Sequence, residues 1–295
     1  MKSFLGVRGV SAEDLVALVD RAVEHASTGN PVERPLTGVV IASLFFEPST
    51  RTRLSFEMAG RRLGAHTLTF IPEHSSMEKG ESLQDSVMTV AALSPEMMVI
   101  RHRTDGFPEL AHRWTGLPVV NAGDGVNEHP TQAIADLVTL RQHFDRVRGL
   151  RVAVVGDSAH SRVAGSLLAA LGTLGATAVM VGPQRLLPGS LPQDVTTSDD
   201  LDDVVGEVDV VYLLRVQEER GVVVGNDYVD RFQLTSERAA RMRPEAVVMH
   251  PGPTNRGVEI ADEVADGPRS VILRQVSNGV PARMAVLEAI GKGLS

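Results

Sequence analysis

The sequence predicts an α/β protein made of two doubly wound parallel-sheet domains linked by interdomain helices. Three observations predict it. The chain has 295 residues, long for one core and suited to two. Apolar strand-length runs alternate with helix-length runs almost throughout, which is the pattern of parallel sheets covered on both faces. The polar stretches that carry chemistry fall mostly just after strand-like runs, and ligands of such sheets sit outside the carboxyl ends of strands.

The elements follow in order. Ser11-Ala12-Glu13-Asp14 resembles a capping box that opens an amphipathic helix to about residue 26. Strands are expected at 39–46, 66–71, 97–101 and 118–121, with helices at about 50–63, 82–93, 107–115 and 130–144. The second half repeats the scheme, with strands at 151–155, 177–181, 208–214 and 246–249 and helices at 161–174, 199–205 and 235–242. A last helix is expected at 281–293. The helix at 130–144 should cross from the first domain to the second, and the last helix should return. The stretches 72–81 and 216–234 read as the longest irregular loops, a kind that tends to be functional.

Composition narrows the function classes. With 43% hydrophobic and 22% charged residues the chain reads as an ordinary soluble globular protein. No apolar run approaches the roughly 20 residues that span a bilayer, and the N-terminus lacks a signal-peptide core. No membrane association is expected. Zero cysteines exclude disulfides, thiol nucleophiles and thiolate metal sites, which fits the cytoplasm. A net charge of −8 argues against nucleic-acid binding. An anionic substrate would then need a local cluster of arginines. The 9 histidines include no His-x-x-x-His pair flanked by glutamate, so no metal and no cofactor are expected.

The stretch 45–57, FFEPSTRTRLSFE, is the most informative. Ser49, Thr50, Arg51, Thr52 and Arg53 follow an apolar strand and Pro48 and open a helix. A helix N-terminus offers unpaired N–H groups and a positive dipole end. Hydroxyls and a guanidinium added there make a site for a phosphate dianion. Capping needs a single oxygen, and here a whole polar run is present. A second run, Asn121 to Gln132, ends in His129-Pro130-Thr131-Gln132 at the start of a helix. His129 offers a hydrogen bond to a carbonyl oxygen, and the Gln132 amide oxygen can accept from an amide nitrogen. Together they can read a carbamoyl group. In His250-Pro251-Gly252-Pro253 a rigid turn exposes backbone carbonyls in fixed directions. These carbonyls can accept from the same nitrogen.

The run Gly156-Asp157-Ser158-Ala159-His160-Ser161-Arg162 raises a rival reading. Strand, glycine, helix is how a dinucleotide-binding domain begins, but that motif wants three glycines. Here one glycine is followed by Asp157, whose carboxylate would repel phosphate. The dehydrogenase reading is rejected. Arg162 lies in the first turn of a helix, where a cation is unfavourable, and this points to a ligand anion nearby.

These motifs, in order from about residue 39 to 290, resemble the aspartate/ornithine carbamoyltransferase family. The resemblance implies that Ser49, Thr50, Arg51, Thr52, Arg101 and Lys79 hold the phosphate of carbamoyl phosphate. Arg51, Thr52 and His129 would polarise its carbonyl, and Gln132, Gly252 and Pro253 would orient its nitrogen. Ser75 to Ser82 resembles a mobile lysine loop that reaches the site of a neighbouring subunit, so Ser75 and Lys79 would act in trans within a homotrimer. Lys79 is also expected to touch the second substrate. Arg215-Val216-Gln217-Glu218-Glu219-Arg220 is similar to the segment that distinguishes the aspartate branch. Arg162, Arg215 and Gln217 would grip the carboxylates of L-aspartate, and two arginines suit a dicarboxylate. Ornithine-specific relatives carry a cysteine in the turn at 250–253, and this chain has none. Arg220 is expected only to pair with an acid such as Glu47.

The implied domains are 1–133 plus 280–295 for carbamoyl phosphate and 134–279 for aspartate. The implied activity gives N-carbamoyl-L-aspartate and phosphate, an early step of pyrimidine synthesis, with domain closure on the second substrate. A regulatory chain or another pathway enzyme could be a partner. Two other readings stay open: transfer to another amino acid, and a non-catalytic homologue that serves assembly.

Overall fold

A computed structural model describes residues 1–29, 33–72, 75–216 and 226–294. The chain divides into two units, Met1–Val138 with Ser277–Ser295, and Thr139–Val276. Each is built on a wholly parallel sheet.

In the first unit the strands are β1 (Val40–Phe45), β2 (His66–Phe70), β3 (Met97–His102) and β4 (Val119–Asp124), in spatial order β2-β1-β3-β4. The two central strands are almost wholly buried, as near-continuous apolar runs in a covered parallel sheet should be. Helices α1 (Ala12–Thr28), α2 (Thr50–Leu63), α3 (Leu83–Ala92), α4 (Phe107–Thr115) and α5 (Pro130–Phe144) follow in sequence. The expected N-cap of α1 forms, with Ser11 accepting from the Asp14 N–H at 3.1 Å. The strand order reverses between β1 and β3, and the register sets Phe45 beside Arg101. The carboxyl ends of these two strands therefore flank the crevice where such sheets bind ligands.

In the second unit β5 (Arg151–Val155), β6 (Thr177–Val181), β7 (Val195–Ser198), β8 (Val210–Leu213) and β9 (Val247–Met249) run in order β7-β6-β5-β8-β9. Its helices are α6 (Arg162–Thr173), α7 (Asn226–Phe232), α8 (Ser236–Arg241) and α9 (Asp262–Ala265). The order reverses between β5 and β8. Here Gly156 has φ +117°, and a Cβ on it would meet the Leu214 carbonyl oxygen at 2.7 Å. The single glycine of that segment thus serves a close strand-end approach.

Several expectations need correction. Residues 199–205 form turns rather than a helix. Ser198 Oγ donates to the Asp200 carbonyl, and Asp202 N–H donates to Asp200 Oδ1 at 2.9 Å. Such side-chain bonds to the backbone compete with helix. Strand β7 and helix α9 carry no clear sequence signal, and α7 occupies part of the stretch read as the loop 216–234. Residues 217–225 of that loop lie outside the described residues. Helix α10 runs Ile272–Gly291, nine residues earlier than expected, with Pro281 inside it. Proline removes one helical hydrogen bond. The burial of Ala282, Met284, Ala285, Val286 and Leu287 outweighs that local cost. The loop 72–81 holds a short 3-10 turn, Ser76–Lys79, and its residues 73–74 lie outside the described residues.

Among the described residues no helix is long and apolar enough to cross a membrane.

Candidate active site

The first unit brings Ser49, Thr50, Arg51, Thr52 and Arg101 to the β1–β3 reversal. Ser49 is the N-cap of α2, but its side chain makes no capping bond, and the first turn contains no acid. The hydroxyl of Ser49 is therefore not committed to closing the helix. Arg51 is open to solvent, and partial desolvation draws its guanidinium below the ordinary value. Thr52 points inward. Its Oγ1 lies 3.4 Å from His129 Nε2, and both residues are buried.

Arg101 completes this cluster from the end of β3. Its Nη1 donates to the Ala122 carbonyl at 3.2 Å and lies 3.5 Å from His129 Nε2. Its Nε lies 2.8 Å from Glu47 Oε1. Thr52, Arg101 and His129 thus come from α2, β3 and the head of α5 to one place.

The loop that delivers His129 is built by residues to which the sequence assigns no role. The buried Asp124 carboxylate accepts from Asn121 Nδ2 at 2.7 Å, Gly106 N–H at 2.6 Å and Asn127 Nδ2 at 3.0 Å. Glu128 anchors the chain's start by accepting from Val7 N–H at 2.9 Å. Their signal is only the unusual polarity of a run next to an apolar strand. His102 is structural: it stacks on Phe107 with ring centroids 4.0 Å apart, and burial lowers its pKa.

Gln132 sits in the first turn of α5, where its Nε2 donates to Asp136 Oδ1 at 2.8 Å. Lys79 is exposed at the end of the 3-10 turn, and Ser75 Oγ caps that turn through Met77 N–H at 3.3 Å. Neither is part of the Thr52–Arg101–His129 cluster.

The second unit sets its two candidate arginines on either side of its own reversal. Arg162 is the first residue of α6, behind the N-cap Ser161. Arg215 follows β8, and its Nε donates to Asn255 Oδ1 at 3.2 Å. Asn255 in turn donates from Nδ2 to the Val216 carbonyl at 3.3 Å. Asp157, just after β5, is fully buried and accepts from the His160 ring at 2.9 Å.

Gly252 and Pro253 also belong to this unit. The turn is held from within: Gly252 N–H donates to His250 Nδ1 at 2.8 Å, and His250 N–H donates to Gln275 Oε1 at 2.9 Å. Because Nδ1 accepts, the ring proton is on Nε2, which donates to Glu259 Oε1 at 3.1 Å. Gln217 and Arg220 lie outside the described residues.

Family models match both halves of the chain. The carbamoyl-P binding domain of the aspartate/ornithine carbamoyltransferases matches residues 2–142, and their Asp/Orn binding domain matches residues 148–290. The chain belongs to the aspartate/ornithine carbamoyltransferase family. Within this family it is 47% identical to the aspartate carbamoyltransferase catalytic subunit of Myxococcus xanthus, over 98% of this chain and 99% of that one. It is 46% identical to that of Beijerinckia indica, over 99% of this chain and 95% of that one. The aspartate transcarbamoylase of Trypanosoma cruzi, solved with carbamoyl aspartate and phosphate, matches with TM-score 0.90 and 31% identity, covering 98% and 95% of the two chains. The catalytic subunit from M. jannaschii matches with TM-score 0.86 and 32% identity, covering 99% of each.

Proposed function

We propose that this carbamoyltransferase moves the carbamoyl group of carbamoyl phosphate to the amine of L-aspartate, giving N-carbamoyl-L-aspartate and phosphate. The observation that carries the reading is the convergence of Thr52, Arg101 and His129 beside the uncommitted N-terminus of α2. The relatives named above support aspartate as acceptor, as do the arginines flanking the β5–β8 reversal.

The chemistry needs no nucleophilic side chain. The unprotonated amine of aspartate attacks the carbonyl carbon, and a C–N bond forms. The tetrahedral oxyanion then collapses, and the C–O bond to phosphate breaks. The amine proton leaves on the departing phosphate. Catalysis comes from positioning and from charge set in advance. Ser49, Thr50, Arg51, Thr52 and Arg101 hold the phosphate. Arg51, Thr52 and His129 stabilise the oxyanion. Gln132 and the Gly252–Pro253 carbonyls take the carbamoyl nitrogen, and Arg162, Arg215 and Gln217 take the two carboxylates.

Lys79 reaches the site of a neighbouring copy within a homotrimer, as its exposed place on a short turn allows. The setting is the cytoplasm, and the product feeds pyrimidine synthesis. The relatives' designation as catalytic subunits supports a regulatory chain as a partner. The test is product formation. Carbamoyl aspartate should accumulate only when both substrates are present, and its absence from a folded, assembled protein would refute the assignment.

A further inference from the structure

Gln132 and Asp136 are four residues apart on α5 and share one face of the helix. Asp136 is fully buried, and its Oδ1 receives the Gln132 Nε2 at 2.8 Å. A carboxylate can only accept, so the amide must turn its NH2 toward Asp136. The Gln132 carbonyl oxygen then faces the other way, and the ambiguity that an amide normally has is removed.

A buried carboxylate needs a counter-charge to stay ionised. The guanidinium of Arg283 on α10 lies near enough to interact with the Asp136 carboxylate electrostatically. This side chain is buried, donates from Nη1 to the Gly279 carbonyl at 2.8 Å and lies 5.1 Å over the Phe56 ring of α2. A Cβ on Gly279 would come within 2.6 Å of Nη1, so the glycine makes room for the guanidinium. Burial, and then the nearby Arg101 charge, pull the Arg283 pKa down to about 9, while Asp136 acts against both. Arg283 therefore remains a cation below that pH.

We propose that Asp136 is a positioning residue, which locks the Gln132 amide so that its oxygen, not its nitrogen, meets the carbamoyl NH2. The inference rests on the function proposed above and deepens it. An unlocked glutamine would offer NH2 to NH2 in half of its orientations. A locked one offers an acceptor alone and discriminates a carbamoyl from an acetyl group in the same place.

The test exploits Gln132→Glu, a change at a half-buried position. The introduced carboxylate would face Asp136 as a like charge, which raises its pKa. When protonated, the introduced carboxyl donates O–H to Asp136 and again presents a carbonyl oxygen. Turnover of this variant relative to wild type should therefore rise about tenfold or more from pH 8 to pH 6, since above its pKa the protonated fraction grows about tenfold for each unit the pH falls. In the double variant Gln132→Glu/Asp136→Asn, the introduced amide NH2 can donate to an ionised carboxylate, and the pH dependence of the ratio should flatten. Arg283 stays cationic across this range, and taking each variant as a ratio to wild type at the same pH cancels the groups common to all, Arg101 and His129 among them.

A carbon-13 titration of the introduced carboxyl reads the same contact without activity. Its pKa should move up by about a unit or more in Gln132→Glu and return to the ordinary range in the double variant. Equal titrations in the two variants, or a Gln132→Glu ratio to wild type that does not change with pH, would overturn the proposal. If the double variant does not fold, the single variant against wild type still decides it. Absence of carbamoyl transfer in wild type would refute the function, while the carboxyl titration would still judge the contact.

Discussion

Arg101 is held by Glu47: its Nε lies 2.8 Å from Glu47 Oε1, and its Nη1 reaches the Ala122 carbonyl and His129. One guanidinium is thus aimed by two partners at once, a carboxylate and a backbone carbonyl. A lysine ammonium has no such fork. Arg101→Lys should keep the charge but lose the aim, raising the KM for carbamoyl phosphate by about tenfold or more. Steady-state kinetics with aspartate saturating checks this, and an unchanged KM would show that the orientation is irrelevant.

Arg51 opens α2 from a solvent-open position, where substrate can reach it without rearrangement of the core. Its charge should meet both the phosphate and the developing oxyanion. Arg51→Ala should cost on the order of 3 kcal/mol or more in kcat/KM. Thermal stability should change little, because the side chain is exposed and adds nothing to the core.

Arg215 is braced by Asn255, whereas Arg162 starts a helix where a cation has no intrinsic reason to be. Alanine at either position should raise the KM for aspartate by about tenfold or more while leaving phosphate binding intact. Phosphate affinity measured by calorimetry in the same variants separates a lost aspartate contact from general damage.

Lys79 should act on a neighbouring copy. Arg51→Ala and Lys79→Ala chains are each expected to be nearly inactive alone. Mixed after dissociation and reassembly, they should regain activity, because hybrid trimers contain some sites with both residues intact. Flat inactivity at every mixing ratio would place Lys79 elsewhere.

The fold also carries an acid-sensitive joint between α1 and α10. Glu288 is buried, and burial alone would raise its pKa. Hydrogen bonds from Arg21, Lys292 and His25 outweigh that and hold the carboxyl at about 2. A carboxyl whose folded pKa lies below its unfolded value stabilises the fold above the unfolded value, near the ordinary 4.5. That stability is lost as pH falls from there toward the folded value. His25 adds to the same trend: burial lowers its pKa, so its protonation below about 6.5 opposes folding. Glu288→Gln should lose on the order of 2 kcal/mol at neutral pH and show a shallower acid limb. Urea unfolding between pH 3 and pH 7 measures both.

How far the sequence speaks depends on how local each signal is. Strands β1, β3, β5 and β8 are apolar runs bounded by turns, and they appear close to where periodicity predicts. The Ser49–Arg53 run and the His129–Gln132 run are legible because strand, turn and helix start lie within a dozen residues. Asp136 is not legible: an acid on an amphipathic helix reads as a solvated face until Arg283, far along the chain, is seen to share its neighbourhood. The start of helix α10 is hidden because Gly279 and Pro281 signal a break that packing overrides. The acid-rich 199–205 run misleads the other way, since helix-length spacing cannot reveal that Ser198 and Asp200 bond their own backbone.

The central claim is the pairing of carbamoyl phosphate with a dicarboxylate acceptor. The most direct measurement supplies labelled carbamoyl phosphate to the assembled protein with equal concentrations of L-aspartate and L-ornithine and resolves the products. The account predicts N-carbamoyl-L-aspartate with no citrulline, and loss of that product in Arg162→Ala. Citrulline as the main product would contradict it.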